Sequence, residues 1–203
     1  MNQAQLYQAV SAYLHSAKLE SSYPLFESLT AARVGQIPDL YELRQRIEGT
    51  TDVQTGVIPY PADFGMLIGA VVGGNLLVPV SMHDALMVSG SGGAAVGYEL
   101  AAEGVRTVPA APGVAYSMDY QSVPAVTADA GATNIIMTKY PGVYLWGMVL
   151  EGYRLISDDE GIALAEAAFT AEAERAAAAS RAGAIGRGNS VTPRGTVYGK
   201  VRG

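Results

Sequence analysis

Along the first fifty residues, apolar side chains recur every three or four positions, which is the spacing of one face of a helix. The first predicted helix spans residues 3–19, and its apolar face is formed by Leu6, Val10, Tyr13 and Leu14. A second helix is predicted over 24–34, where Tyr23 and Pro24 mark the beginning because proline lacks an N–H that the first turn leaves unpaired. Residues 35–38 contain glycine and proline and end that helix.

A third helix is predicted over 39–48. Asp39 supplies a side chain suited to capping the helix N-terminus, and Leu40, Leu43 and Ile47 follow at helical spacing. Gly49 is predicted to end this helix. The first quarter of the chain is therefore predicted to be helical throughout.

From Thr55 onward, apolar residues come in short runs separated by glycine, proline and asparagine, a pattern typical of strands joined by turns. The predicted strands are 57–60, 67–68, 76–80, 98–100, 105–108 and 114–120. Between two of them, Gly73-Gly74-Asn75 is a hairpin turn signal. These runs predict a small antiparallel β subdomain over 55–127, inserted between two helical parts.

Helical spacing returns after Asn134 and predicts a helical hairpin. Its first helix, over 140–156, begins at Pro141 and carries the apolar residues Tyr144, Leu145, Met148, Val149 and Tyr153. Ser157 and Glu160 have the S-x-x-E spacing of a capping box, so a second helix is predicted over 158–183. One face of that helix carries Ile162, Ala165, Phe169 and Ala173.

These elements predict an α+β protein, mainly an α-helical bundle with an inserted small antiparallel β subdomain and an extended C-terminal tail. The main domain is predicted over 1–186, with helices in 1–50, the β insertion in 55–127 and the helical hairpin in 134–186. The tail, 187–203, is rich in Gly, Ser, Thr, Pro and Arg. It contains too few apolar residues to pack by itself, so it is predicted to be disordered or extended unless a partner binds it.

Charge and composition indicate a protein that contacts other proteins. Charged residues make up 16% of the 203 residues, which is low for a fully solvated surface. The formal net charge of -6 argues against a surface that binds nucleic acid throughout. Cysteine is absent, which excludes disulfides and thiolate metal sites and fits assembly in a reducing cytoplasm. No signal peptide or membrane-spanning segment is predicted.

The candidate nucleotide site is a glycine loop. Gly90-x-Gly92-x-x-Ala95 matches a loose dinucleotide-binding pattern, but the strand-like residues 98–100 follow where that motif requires a helix. A flexible loop is the better interpretation. No P-loop and no G-x-S-x-G nucleophile motif occur in the sequence.

The candidate hydrolytic or metal residues are His83 and Asp84, with Ser81 or Ser89 nearby. Neighbouring side chains in a strand point to opposite faces, whereas the members of a catalytic triad converge from separate segments, so an exposed polar turn is favoured. The other histidine, His15, lies on the first predicted helix, and two histidines without cysteine do not complete a usual zinc site. No enzyme activity, metal or cofactor is therefore predicted.

Three further features have structural explanations. The acidic run 158–160 has the composition of a hard-cation site, but acids in a first helical turn also cap free N–H groups, and capping is favoured. Asp63 is predicted to be a turn residue. Tyr144, Trp146 and Tyr153 diverge around their helix, so packing is favoured over a base-stacking platform.

The order of these features resembles the head-to-tail adaptor (connector) proteins of tailed bacteriophages. The resemblance covers nearly the whole chain, but residues 35–38 interrupt a helix that continues in many relatives, and the loop 89–93 is particular to this chain. It is carried by Tyr13-Leu14-His15, Tyr23-Pro24-Leu25-Phe26, Ala31-Ala32-Arg33, Leu43-Arg44, Pro61-Ala62-Asp63-Phe64, Tyr98-Glu99-Leu100, Tyr116 and Tyr120, and the run from Asn134 into the alanine-rich helix.

This resemblance implies a structural virion protein of the neck. It implies a homo-oligomeric ring, typically a dodecamer, that is assembled in the host cytoplasm, docks beneath the portal protein and offers a platform for tail or nozzle proteins. DNA would only pass through its channel, and no membrane would be involved. The tail would contact the portal or a neighbouring subunit through Arg187, Val191, Arg194, Val197, Tyr198, Lys200, Val201 and Arg202.

Three other classes stay open from the sequence. The nearest alternative is a tail-completion or neck protein from another layer of the virion. The next is a small oligomeric binding module, and the last is a hydrolase built around His83.

Overall fold

The computed structural model describes residues 1–15, 17–81, 93–126 and 129–188. Its helices are α1 (Gln3–Leu14), α2 (Tyr23–Val34), α3 (Ile135–Lys139), α4 (Pro141–Ile156) and α5 (Asp159–Gly188), with 3-10 helices at Ala17–Ser22 and Tyr41–Leu43. Its strands are β1 (Arg44–Thr50), β2 (Val57–Pro59), β3 (Phe64–Val72), β4 (Asn75–Leu76), β5 (Val78–Pro79), β6 (Gly97–Ala101), β7 (Gly104–Val108) and β8 (Ala115–Ser122). The predicted α+β class is confirmed.

Helix α4 forms the centre of the helical part, where it packs against α1, α2, α3 and α5. The predicted apolar face explains this position, because Tyr144, Met148 and Val149 are fully buried. The core around α4 also contains Leu6, Val10, Leu14, Tyr23, Phe26, Val34, Leu40, Leu43, Ile136, Met137, Val143, Leu150, Ala165, Ala176 and Ala177.

Two glycines allow the neighbouring helices to come close to α4. A Cβ atom at Gly147 would lie 2.4 Å from Thr30 of α2, and one at Gly152 would lie 2.3 Å from Leu14 of α1. Both distances are shorter than a carbon–carbon contact allows. Helices α1 and α2 therefore pack against backbone at these two points.

The strands form two four-stranded sheets with the orders β1-β8-β3-β4 and β2-β7-β6-β5. The paired strands are antiparallel except β5 and β6, which run parallel, so the antiparallel prediction is wrong for that pair. Both sheets contribute to a second core, separate from the helical one, that contains Ile58, Ala70, Val72, Leu77, Ala95, Val105, Ala111, Met118 and Tyr120.

The end of β8 joins the sheets to the helical part. The buried amide Nε2 of Gln121 donates to the carbonyl oxygens of Gly35 at 2.9 Å and Ile37 at 2.7 Å. The next residue, Ser122, donates from Oγ to the carbonyl oxygen of Leu43 at 3.0 Å. The segment that breaks the helical pattern after α2 is therefore the surface on which the β part is anchored.

The predicted third helix, over 39–48, is wrong. Only Tyr41–Leu43 form a 3-10 turn, and Arg44–Thr50 form β1, which pairs with β8 along its whole length. Leu43 lies in the helical core, whereas Ile47 packs against the sheet core, so the helical spacing did not reflect one shared face. Pairing with β8 outweighs the local helical preference.

The first helix ends earlier than predicted, at Leu14 rather than residue 19. His15 is in the left-handed conformation, with φ +46°, and a 3-10 helix follows. On a continuous helix, Leu19 would point about 140° away from Leu14. The turn at His15 lets both leucines be buried.

The predicted cap at Ser157 is also wrong. Ser157 has a left-handed backbone, with φ +57°, and ends α4, so it does not have the extended backbone of an N-cap residue. Asp158 takes that role, because its Oδ1 accepts a hydrogen bond from the backbone N–H of Gly161 at 3.0 Å. The second helix of the hairpin, α5, extends beyond the predicted residue 183 to Gly188.

Candidate interaction surfaces

The Glu42 carboxylate is the centre of a polar cluster that holds the C-terminal half of α5. It accepts hydrogen bonds from Lys139 Nζ at 2.9 Å, from the Tyr140 hydroxyl at 3.0 Å and from the Ser180 hydroxyl. The backbone N–H of Tyr41 donates to Ser180 Oγ at 2.8 Å. The cluster therefore connects the turn before β1 to α3, α4 and α5.

The electrostatics of this cluster favour a structural role. Burial by itself raises the pKa of the Glu42 carboxyl, but hydrogen bonds from Ser180, Lys139 and Tyr140 outweigh it and lower the pKa to about 2. A carboxylate with so low a pKa is a weak general base at neutral pH. The adjoining cavity of about 530 Å³ is lined by this carboxylate and by Lys139 and Ser180, which are both bonded to it.

A second set of charges connects α5 to the beginning of β1. The carboxylate of Asp39 lies 2.9 Å from Arg181 of α5 and 3.5 Å from Arg44 of β1. The Arg44 guanidinium also lies 3.7 Å above the ring centre of Tyr41. These groups are partly exposed, so they contribute more to the direction of α5 than to its stability.

Glu27 is a buried carboxylate that sequence analysis did not single out. It accepts hydrogen bonds from Gln3 Nε2 at 2.7 Å and from the Tyr7 hydroxyl at 2.8 Å, both on α1. Burial, together with the hydrogen bond and the charge of Glu27, raises the pKa of Tyr7 well above its usual range. The arrangement connects α1 to α2.

Apolar side chains are exposed around the turn of the helical hairpin. Leu155 and Ile156 at the end of α4 and Leu164 near the beginning of α5 are each about half exposed. Leu25 and Leu29 of α2 are similarly exposed. Exposed apolar residues on an otherwise acidic surface are typical of protein contacts.

A groove of about 700 Å³ lies between α5 and the segment that follows α2. Most of its lining residues are apolar, and two arginines are also among them. The lining residues include Ile37, Pro38, Phe169, Ala173, Ala177, Arg33 and Arg181. Both arginines are held in ion pairs, Arg33 with Glu151 and Arg181 with Asp39, each at 2.9 Å.

Of the residues predicted to make the contacts of the tail, only Arg187 belongs to the described part of the chain. Arg187 lies in the last turn of α5, so the helix includes a residue that was assigned to the tail. The others lie outside the described residues: Val191, Arg194, Val197, Tyr198, Lys200, Val201 and Arg202. Their role stays a prediction.

Most of the candidate catalytic residues also lie outside the described ranges. These are His83, Asp84, Ser89, Gly90 and Gly92. The remaining histidine, His15, is exposed at the end of α1. Among the described residues, no three His, Asp or Glu side chains are grouped closely enough to hold a metal ion. The acidic run at the beginning of α5 provides the cap through Asp158.

The three aromatic residues of α4 do not form a platform. Tyr144 is buried, and its hydroxyl accepts a hydrogen bond from Asn134 Nδ2 at 2.9 Å. Trp146 packs against Tyr13 of α1, with 4.9 Å between ring centres. Tyr153 is half-buried against the helical core. The interpretation as packing residues is confirmed for this set.

Comparison with protein families identifies the family to which this chain is similar. The sequence model of a family described as "SU10 adaptor protein" matches residues 1–194. A search of curated proteins finds no match. Within the described ranges, no helix has both the length and the apolar character needed to cross a membrane.

Proposed function

Because the chain belongs to the SU10 adaptor protein family, we propose that it docks as a ring beneath the portal of a tailed bacteriophage and joins the capsid to the tail. As a phage adaptor, the protein is a structural component of the virion and interacts with other virion proteins. The family match, which extends over 1–194, is the observation that carries the proposal.

The helical hairpin supports a role in docking. Helix α5 has 30 residues, which corresponds to a length of about 45 Å. Its first half packs against α4, and Ser180 and Arg181 fix its second half to the turn before β1. These contacts set the direction of α5 up to Arg181. In the proposed ring, this arrangement directs the tails of all copies towards the portal.

The distribution of charge supports passage of DNA rather than binding. Four of the thirteen basic residues and none of the nineteen acidic residues lie from Arg187 onward, so residues 1–186 carry a formal charge of −10 and the tail +4. An acidic body repels the phosphate backbone. The basic tail suits an acidic surface on the portal, and its valines and tyrosine provide apolar anchors.

Co-sedimentation with purified portal rings tests the docking. The full chain is expected to sediment with the rings, whereas a chain ending after Gly188 is expected to stay in the supernatant. Both should fold and melt in one cooperative transition followed by circular dichroism, because α5 and the two cores are complete in the shorter chain. Electron microscopy of the sedimented complex then counts the adaptor copies.

Two outcomes would contradict parts of the proposal. Normal sedimentation of the shorter chain would assign docking to the helical body, with the exposed leucines of α2 and the hairpin turn as the next surface to test. A full chain that stays in the supernatant with its cognate portal, but binds a tail protein, would place the adaptor in another layer of the neck.

A further inference from the structure

We propose that the free edge of β1 is a strand-addition site and that, before docking, residues 196–202 of the same chain occupy it. The proposal concerns the free protein, so it goes beyond docking to the portal. The tail would then be bound to β1 in the free protein. If docking to the portal occurs as proposed above, the tail would leave β1 when the protein docks.

Strand β1 presents a long, regular edge. It is the last strand of its sheet and pairs with β8 over all seven residues without a bulge. Six of its residues are exposed, and only Ile47 is half-buried. About half of the N–H and C=O groups of such a strand point away from its neighbour. Proteins usually protect long edges with bulges, prolines or lysines, and β1 has none of them.

The charged side chains of β1 do not block this edge. Arg46 is held on its own sheet by two hydrogen bonds to the Asp119 carboxylate, at 2.6 and 2.7 Å. Arg44 is held over the Tyr41 ring. Glu48, on the same face of the strand, interacts electrostatically with Arg46, but no described basic group lies within ion-pair distance of it. An added strand with basic side chains would bring a cation into direct contact with it.

The position of α5 brings the tail to this edge. Arg181 of α5 and Arg44, the first residue of β1, share the Asp39 carboxylate. Helix α5 ends at Gly188, about 10 Å further along its axis. The fifteen residues that follow span about 50 Å when extended. This length is enough for the chain to run back over the roughly 10 Å from Gly188 to the level of Arg181 and then to pair along β1, which is about 23 Å long.

The sequence of the tail fits an edge strand. Residues 192–195, Thr-Pro-Arg-Gly, have proline and glycine where a type I turn favours them, so they suit a reversal of the chain. In the following residues, Val197 and Val201 alternate with Lys200 and Arg202, which places the valines on one face and the basic groups on the other.

Both faces of that strand have a counterpart on β1. The valines would lie beside Ile47 and extend the sheet core over its half-buried side chain. The basic groups would lie on the face of Glu48. The overall charges of +4 on the tail and −10 on residues 1–186 favour the same contact. Tethering within one chain gives the tail a high effective concentration at the edge.

Hydrogen exchange of the full chain, without portal, tests the proposal. The variant Val197→Pro with Tyr198→Pro changes two adjacent residues, so one of the lost N–H groups faces β1 in either register. Its control, Ser190→Pro with Val191→Pro, adds two prolines before the predicted turn. We expect the β1 amides that point away from β8 to exchange at least about tenfold faster in the first variant than in the natural chain or the control.

The amides of β8 should keep their exchange rates in all three proteins. Equal exchange rates of the β1 amides in the natural chain and the Val197/Tyr198 variant would overturn the proposal. Faster exchange of the β8 amides as well would also overturn it, because the pairing of β1 with β8 would then be weakened as a whole. Protection that disappears on tenfold dilution would also overturn it, because the occupant would be the tail of another copy. Since no portal is present, none of these outcomes bears on portal docking.

Discussion

Three carboxylates, those of Glu27, Glu42 and Asp158, hold the helical part together through hydrogen bonds to polar and backbone groups. Hydrogen bonds to a charged acceptor contribute about 1.5–3 kcal/mol each, more than exposed ion pairs do. Only the capping role of the acidic run at 158–160 is visible in the sequence. Glu42 and Ser180 are separated by 138 positions, so no local pattern relates them.

Exchange of the capping residue distinguishes the observed cap from the predicted one. Asp158→Ala is expected to lower the free energy of unfolding by about 0.5–2 kcal/mol, because the N–H of Gly161 loses its acceptor. Ser157→Ala is expected to change it by less than about 0.5 kcal/mol, since the Ser157 side chain caps nothing. Urea denaturation followed by circular dichroism measures both. A larger effect at Ser157 would restore the original assignment.

The Glu42 cluster makes stability depend on pH. The folded-state pKa of Glu42, about 2, lies below its ordinary value of 4.5, so its contribution is complete above about pH 4.5 and is lost as the pH falls towards 2. Glu42→Gln is expected to destabilise the protein by about 1–3 kcal/mol at pH 7 and to flatten the pH dependence between 4.5 and 2. Urea midpoints at pH 7, 4.5 and 3 test this. Parallel curves for variant and natural protein would show that another group is responsible.

At the scale of elements, the packing of the helical part depends on glycines that let α1 and α2 approach α4 closely. Gly147 and Gly183 are both glycines in helices, but they differ in surroundings. A Cβ at Gly147 meets the buried, stiff side chain of Thr30, whereas a Cβ at Gly183 meets nothing within 4 Å. Helix propensity alone favours alanine at both positions by about 1 kcal/mol.

Matched alanine substitutions separate these two effects. Gly147→Ala is expected to destabilise the protein by about 1–2 kcal/mol, because the overlap with Thr30 exceeds the gain in helix propensity. Gly183→Ala is expected to stabilise it by about 0.5–1 kcal/mol. Thermal unfolding by calorimetry gives both values. Stabilisation at both positions would mean that α2 moves away from α4 at little cost.

At the scale of the whole molecule, charge is divided between an acidic body and a basic tail. If the tail binds an acidic portal surface as proposed, replacing Arg194, Lys200 and Arg202 by alanine should weaken portal binding at low salt and reduce its salt dependence. Replacing Val191, Val197 and Val201 by serine should weaken binding at all salt concentrations. Co-sedimentation at 50 and 300 mM NaCl distinguishes the two. Identical salt dependence in both variants would argue against an electrostatic contribution.

The sequence by itself determined the elements whose signals are local. Helices α2 and α4, most of α5, and strands β2, β3, β6, β7 and β8 follow from apolar spacing, turn residues and proline, and the order of these features was sufficient to indicate the adaptor family. The single strand predicted over 76–80 is wrong, because β4 and β5 divide this stretch between the two sheets. The division of the apolar residues into two cores could not be predicted from the sequence. Apolar spacing indicates which residues are buried, but it does not indicate which other residues they pack against.

The tertiary structure decided the points where a remote partner outweighs the local preference. Arg44–Thr50 became a strand because β8, some seventy residues away, pairs with all seven of its residues. Ser157 took a left-handed conformation because the reversal between α4 and α5 required it, and the cap passed to Asp158. The polar clusters around Glu27 and Glu42 likewise arise only when distant segments meet. In each case the free energy of a long-range contact exceeds the few tenths of a kcal/mol by which local propensities differ.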